Sequence, residues 1–297
     1  RTAEHTRAFI KVQDGCNQFC SYCIIPFARG RVRSRNSEDV IREVKRLAEH
    51  GFREIVLTGI HLSSYGVDTG DDLLHLIREV HNVEGIERIR LGSLEPRIVT
   101  DGFAAALAGL PKICPHFHLS LQSGCDATLQ RMNRRYDTRE YEEGCQILRK
   151  YFDHPAITTD VIVGFPGETE EDFEDTIDVV KKAKFDSAYT FIYSKRTGTP
   201  AARMENQVPE DVVKDRFNRL LATVNEVSHE HIRRYEGMDM KVLVEGKDDH
   251  EEGFVTGRMT NNILVHFAGD ESLIGQIVTV HLDECKGFYY MGRLIED

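Results

Sequence analysis

No apolar run in this chain approaches the roughly 18 residues of a membrane-spanning helix, and Arg1 to Lys11 contain no signal-peptide h-region. Those two absences argue against a helical membrane protein and an exported one, so the expected setting is the cytoplasm, with no membrane partner. An excess of positive charge is also missing. Lys and Arg number 38 against 49 Asp and Glu, a formal net charge of −11. A protein that coats nucleic acid non-specifically needs cationic surface, so that class is disfavoured, while a local basic patch stays compatible with the count. Nor is there a disulfide framework. The 7 cysteines are odd in number, and clustered cysteines in a chain of 297 residues without an export signal more often bind metal or do chemistry. Low-complexity segments are absent, as is any internal repeat beyond the alternation described next.

What is present is a regular alternation. Apolar runs rich in Val, Ile and Leu at 9–13, 54–59, 87–93, 116–122, 156–164 and 187–194 have the character of buried parallel strands. Amphipathic stretches at 38–50, 71–82, 101–110, 139–152 and 170–184 separate them. Ser37 is the expected N-cap of the first helix and Gly51 its C′ residue. Thr169 with Asp172 three places on resembles a capping box. The rhythm is that of βα units, and six of them give a partial (β/α)6 barrel, short of the eight in a closed one. A long helix is expected over 209–235. Beyond Gly237 the helical period stops, and five short runs between 240 and 294 suggest a small all-β barrel. The fold class is therefore α/β, with one domain over 1–236 and a second over 237–297.

The chemistry concentrates directly after the first expected strand, where Cys16, Cys20 and Cys23 fall within eight positions. A loop with that spacing can curl round one inorganic centre at the C-terminal end of a strand, where βα barrels place their active sites. A 4Fe–4S cluster usually takes four thiolates. Three nearby thiolates leave one iron open to a substrate or cofactor. A structural zinc ion is the alternative, and it requires four closed ligands. His5 precedes the strand, and no Cys or His lies between Cys23 and His50. Cys114, Cys125, Cys145 and Cys285 are scattered.

The run Gln13-Asp14-Gly15-Cys16-Asn17-Gln18-Phe19-Cys20-Ser21-Tyr22-Cys23 carries the Cys-x3-Cys-x-aromatic-Cys spacing and resembles the radical S-adenosylmethionine (SAM) superfamily. Extended to Gly30, and taken with residues 57–66, it is similar to the methylthiotransferase branch, most of all to the MtaB type that modifies N6-threonylcarbamoyladenosine beside the tRNA anticodon. The β tail resembles a TRAM domain. The resemblance implies a 4Fe–4S cluster held by the three cysteines, SAM on the open iron, and a 5′-deoxyadenosyl radical that removes hydrogen from C2 of the adenosine. It also implies a second SAM as methyl donor, a tRNA substrate, an electron donor such as flavodoxin or ferredoxin, and a sulfur source. Isopentenyladenosine in tRNA and ribosomal protein S12 are the alternative substrates. A non-enzymatic, zinc-stabilised RNA-binding module is the alternative outside the family. A second 4Fe–4S cluster in an N-terminal domain belongs to the branch. With about fifteen residues before Cys16, that domain is expected to be absent here, leaving sulfur insertion incomplete.

The same resemblance assigns the strand ends. Tyr22 is expected against the adenine of SAM or in loop packing. Gly59 leaves room for the methionyl group or simply ends a strand. Ser93 and Glu95 face the mouth or shape a turn. Gln122 and Ser123 suit ribose hydroxyls, and Arg134, preferred to Arg131, suits the SAM carboxylate. Asp160 and Gly164 lie in the segment that cradles adenine. Arg29, Arg31, Arg33 and Arg35 alternate after the cluster loop and are expected at RNA phosphates. Residues 238–297 hold twelve Asp and Glu against five Lys and Arg, a formal −7. RNA contact there would have to use a local face with Arg258, Arg293, Phe288 and Tyr289.

Overall fold

The computed structural model describes residues 6–296. His5, raised above as a possible ligand, lies outside the described residues. Six strands run parallel: β1 (Arg7–Asp14), β3 (Glu54–Gly59), β4 (Arg88–Leu91), β5 (His116–His118), β6 (Ala156–Val163) and β7 (Ser187–Ile192). The β4–β5 junction is carried by two isolated bridges, Ile89 with Ile113 and Leu94 with Leu119. β1 and β7 do not pair with each other, so the barrel stays open along one seam. A short β2 (Arg33–Ser34) turns back antiparallel on Gln13 and Asp14.

Helices cover the outside: α2 (Ser37–Glu49), α3 (Leu73–His81), α4 (Asp101–Ala108), α6 (Thr138–Tyr151), α7 (Glu170–Ala183) and the long α8 (Glu210–Ile232). Ile10, Val12, Ile55, Leu57, Val161 and Val163 point outward from the strands and meet Val40, Val44, Leu76, Ile77 and Phe173 of the helices in one buried core. Each such side chain contributes about 1.5–3 kcal/mol on burial. The capping box at Thr169 and Asp172 forms as expected. The first helix differs: Asn36, not Ser37, is the N-cap, its side chain accepting from Glu38 N–H. Two short helices, α1 (Ile25–Arg29) and α5 (Asp126–Arg131), were not legible as periodic segments. The strands expected over 87–93 and 116–122 are shorter. Leu121 N–H donates to the Thr159 hydroxyl instead of a carbonyl, and Gln122 sits at φ +70°, which breaks the ladder.

The tail forms a closed five-stranded barrel from β8 (Asp239–Lys247), β9 (Phe254–Met259), β10 (Leu264–Ala268), β11 (Ile277–Cys285) and β12 (Tyr289–Leu294), in the order β10-β12-β11-β8-β9. Val242, Val244, Val255, Phe267, Leu282 and Tyr290 fill it. Among the described residues no helix is long and apolar enough to cross a membrane.

A buried charge network joins the two barrels at the N-terminal ends of the parallel strands. Glu54 accepts from Arg90 Nε at 2.7 Å, with Arg88 at 3.5 Å and Arg7 at 3.6 Å. Arg88 donates onward to the carbonyls of Arg258 and Lys241 at 2.9 and 2.7 Å, and Arg90 to that of Thr260 at 2.8 Å. The small barrel is thus tied on through its backbone, by cations that Glu54 holds in place. Burial opposes the Glu54 charge, but Arg90, Arg88 and Arg7 hold its carboxyl below the ordinary value of 4.5. Removing a buried partner leaves uncompensated charge, at a cost of about 3–5 kcal/mol, so Glu54→Ala is expected to lower the thermal unfolding midpoint sharply. Because the folded pKa is depressed, the stabilisation is fully present above pH 4.5 and lost as the pH falls through the folded value. The gap in unfolding free energy between the native protein and Glu54→Gln should therefore shrink below that pH; a gap constant down to pH 3 would contradict this account.

Candidate functional site

β1 ends at Asp14, and the loop that follows is held from several sides. Cys16 N–H donates to the Gly30 carbonyl at 3.1 Å, and Ser21 donates from N–H to Met132 O and from Oγ to Arg131 O. Asn133 Nδ2 donates to Phe19 O at 2.9 Å. Gly15, at φ +72°, lies so close to the returning chain that a Cβ would come within 1.9 Å of Arg31 O. Gln13 is buried; it donates to the carbonyls of Asp14 and Gly15 and accepts from His61 N–H at 2.8 Å. Gly59 makes this possible, since a Cβ there would meet Gln13 Oε1 at 2.7 Å. The missing side chain at Gly59 therefore serves Gln13, which links the cysteine loop to the end of β3.

All three cysteines are free thiols; Cys20 is buried, Cys16 and Cys23 half-buried. Burial pushes the Cys16 and Cys23 thiols above their ordinary value. Gln18 N–H lies 3.4 Å from Cys16 Sγ. Arg134 Nη1 donates to Cys20 Sγ at 3.1 Å, while its Nε donates to Tyr136 Oη, which in turn donates to Leu121 O. Arg131 is engaged elsewhere, with Pro166 O, the Thr128 hydroxyl and Asp172. His61, held down to about 4 by burial and by the Arg134 charge, is neutral near pH 7. Glu95 keeps Oε1 buried without a hydrogen-bond partner, and burial raises its carboxyl. Tyr22 packs edge-on against Phe165, at 6.3 Å between ring centroids.

The donor set fits an iron–sulfur cluster better than zinc. A closed zinc site needs four converging ligands, and among the described residues no group of three or more His, Cys, Asp or Glu is placed to hold a single ion. Thiols alone, with one cation on Cys20 and an orphaned carboxylate at Glu95, suit a wider, thiolate-held body with a polar ligand beside it.

The other expected residues lie at the ends of several strands. Ser123 is buried, its hydroxyl near Cys125 N–H and Thr176 Oγ1, so it faces α7 and not a ribose. Gly164 admits Val213 of α8, where a Cβ would clash at 2.7 Å, so its bare backbone serves helix packing. Asp160 points into the barrel lumen, with His118 Nε2 at 2.8 Å. Gln122 pairs through its backbone with Asp160 and Ile162. Ser93 is exposed on the lumen wall. The arginine row is no uniform cationic edge. Arg29 and Arg33 lie 3.6 and 3.8 Å from Asp14, and Arg35 lies 2.7 Å from Glu43; Arg31 makes no ion pair among the described residues. Sequence reasoning missed Gln13, whose role shows only once β1 and β3 are paired, and the His118–Asp160 pair, which needs the β5–β6 register.

Comparisons with known proteins agree with this layout. The Radical SAM superfamily model matches residues 10–180, and the TRAM domain model matches residues 233–295. A tRNA-2-methylthio-N(6)-dimethylallyladenosine synthase of Lachnoclostridium phytofermentans is 48% identical over 98% of this chain and 64% of its own length. That of Acetivibrio thermocellus is 46% identical over 97% of this chain and 61% of its own length. The chain thus spans under two thirds of these relatives. Their names carry dimethylallyladenosine, which corrects the expected likeness to the threonylcarbamoyladenosine type. Among solved structures, coproporphyrinogen III oxidase of Escherichia coli aligns with TM-score 0.56 at 13% identity, over 100% of this chain and 73% of that one. The radical SAM methyltransferase TsrM of Kitasatospora setae aligns at 0.55 and 19% identity, over 65% of this chain and 38% of that one. At such identities the likeness is one of fold.

The crowding at Gly15 gives a direct test. Gly15→Ala should displace the Gly30–Arg31 return and cut the iron retained per chain after anaerobic reconstitution to a small fraction of the native value. Retention at native level would mean that the loop tolerates the shift.

Proposed function

The chain belongs to the radical SAM superfamily, and from that premise we propose that it is the catalytic core and RNA-facing tail of a tRNA methylthiotransferase acting at C2 of N6-dimethylallyladenosine. The observation that carries the reading is the isolated three-thiol loop with Arg134 on Cys20, at the C-terminal end of β1 in an open barrel. The printed activity of the relatives supports the choice of dimethylallyl over threonylcarbamoyl.

Cys16, Cys20 and Cys23 would hold the cluster as thiolates. When bound, the cluster would supply one-electron reduction of a sulfonium cofactor, the source of radical chemistry in this superfamily. Arg134 stabilises the Cys20 thiolate by a charge-assisted hydrogen bond and leaves guanidinium N–H groups for a carboxylate. Glu95 Oε1, unpartnered and buried, is the natural acceptor for an ammonium group. Tyr22, half-buried and backed edge-on by the fully buried Phe165, offers an aromatic face to a purine. His61, neutral at working pH, adds no charge beside the mouth. Gln13 and Gly15 keep the loop in one conformation, so that cofactor and target stay in fixed geometry.

Reconstituted chain with dithionite should cleave SAM to 5′-deoxyadenosine, and Cys20→Ala should lose iron and cleavage together. Stoichiometric zinc without iron in the native chain would overturn the assignment. For the substrate, the full-length enzyme should methylthiolate tRNA bearing dimethylallyladenosine and leave threonylcarbamoyladenosine tRNA unmodified. The reverse preference, or modification of ribosomal protein S12 alone, would sink the substrate choice.

A further inference from the structure

We propose that the lumen between the two barrels is a nucleotide subsite, taking one unpaired nucleotide of the RNA well below the cluster mouth. The inference rests on the tRNA reading above and adds to it a surface. A cavity of about 590 Å³ lies between the parallel strands and the small barrel. Phe9 of β1 and Tyr189 and Phe191 of β7, the strands that flank the open seam, form part of its wall; Phe288 and Arg258 of the small barrel contribute from below. These rings are conspicuously wet: Phe9 is 63% exposed, Tyr189 58%, Phe191 51% and Phe288 63%. None belongs to either buried core. Aromatic rings gathered in solvent at one opening mark a surface that something covers.

Charge selects the occupant. Three guanidinium groups line the cavity floor, Arg7, Arg90 and Arg258, and two carboxylates lie within ion-pair distance of them, Glu54 and Glu245. His116 does not add to the positive count: its Nδ1 lies 3.0 Å from Arg90 Nη1, which can only donate, so the ring accepts and is neutral. Asp186, at the start of β7 on the same floor, is held by Arg234 at 2.9 Å, and Asp160 higher in the lumen lies 2.8 Å from His118. The floor therefore carries an excess of cations beside exposed rings, and Arg7 already lies 5.2 Å over the Phe9 ring.

That combination discriminates among ligands. A sulfonium cofactor would meet like charge here and would be too far from the cysteines. Phe9 lies five residues before Asp14, about 17 Å at the rise of an extended strand. An apolar molecule would cover the rings and leave the guanidinium excess unanswered. A nucleotide supplies both halves, a π-face for the rings and a phosphate for Arg7 and Arg258, which is how single strands are held without base readout. Within the small barrel Arg258, beside Glu245 at 2.9 Å, and Phe288 line the cavity, whereas Arg293 lies outside it.

The test uses the 297-residue chain, reconstituted anaerobically, and a fluorescein-labelled anticodon stem-loop RNA followed by anisotropy. Phe9→Ala and Tyr189→Ala should each weaken binding about tenfold, in line with loss of one base-stacking contact. Arg258→Gln should reduce the slope of log affinity against log salt by about one. All three should leave SAM cleavage and the circular dichroism spectrum unchanged, since the aromatic sites are solvent-exposed and none touches the cysteine loop. Native affinity in both aromatic variants would overturn the subsite, and more plainly so if Arg31→Ala weakened binding instead, placing the RNA on the cluster-side row. Absence of RNA binding by the unsubstituted chain would overturn it too, and would count against the tRNA reading, while retained SAM cleavage would leave the radical SAM assignment standing.

Discussion

The six parallel strands of this barrel do not close on themselves, and much of the molecule follows from that opening. In a full eight-stranded barrel the interior is packed with apolar side chains in layers. Here β1 and β7 stay apart, and the lumen wall mixes polar side chains, Arg90, His116, His118, Thr158 and Asp160, with apolar ones, Phe9, Val56, Leu91 and Phe191. An open lumen needs something at its lower end, and the small barrel takes that position. Its attachment is polar as well, because the strand starts it meets are lined by Arg7, Glu54 and Arg88, and what it offers them is backbone carbonyl. The open seam leaves the upper end free for a large substrate to approach the cysteine loop from the side.

Electrostatics at that upper end are restrained. Asp14 stands among Lys11, Arg29 and Arg33 and Glu43 holds Arg35, so the basic run next to the loop is largely answered within the protein. Arg134 is different, because its charge lies against Cys20 and is felt at His61, Tyr22 and Glu95. One guanidinium among thiols, a neutral imidazole and an orphaned carboxylate makes a locally directed field. Such a site discriminates by where a ligand's charges fall and not by total charge.

The sequence carried the architecture well and the interior poorly, for a physical reason. Strand and helix order follow from apolar periodicity, which each segment shows by itself; the cysteine loop follows from spacing within eight residues. Pairings between segments have no such local signature. Glu54 lies 34 residues before Arg88, and only the β3–β4 register makes them neighbours. Asp160 and Gly164 both sit in a strand-plus-glycine pattern that suggests a cradle for adenine, yet the first points into the lumen and the second yields to Val213. Ser123 was misplaced for the same cause, since its direction is set by Thr176 of a helix over fifty residues away.

The acidic tail illustrates how far net charge can mislead about a binding face. Residues 238–297 sum to −7, a figure that argues against RNA contact if the charge is spread evenly. It is not. Lys247, Lys286 and Arg293 each meet an acid of the same small barrel, Glu271, Glu284 and Asp283, so the outer surface presents an acidic remainder. Arg258 also meets an acid of the small barrel, Glu245 at 2.9 Å, but it lines the inward cavity, where Arg7 and Arg90 from the strand starts join it. Charges more than a Debye length apart, about 8–10 Å at ordinary ionic strength, act nearly independently. A phosphate entering the seam would respond to that inward group more than to the acids on the outer surface of the small barrel. An acidic domain arranged this way keeps one cation on its inward face, so its net charge does not describe the surface that a phosphate in the seam would meet.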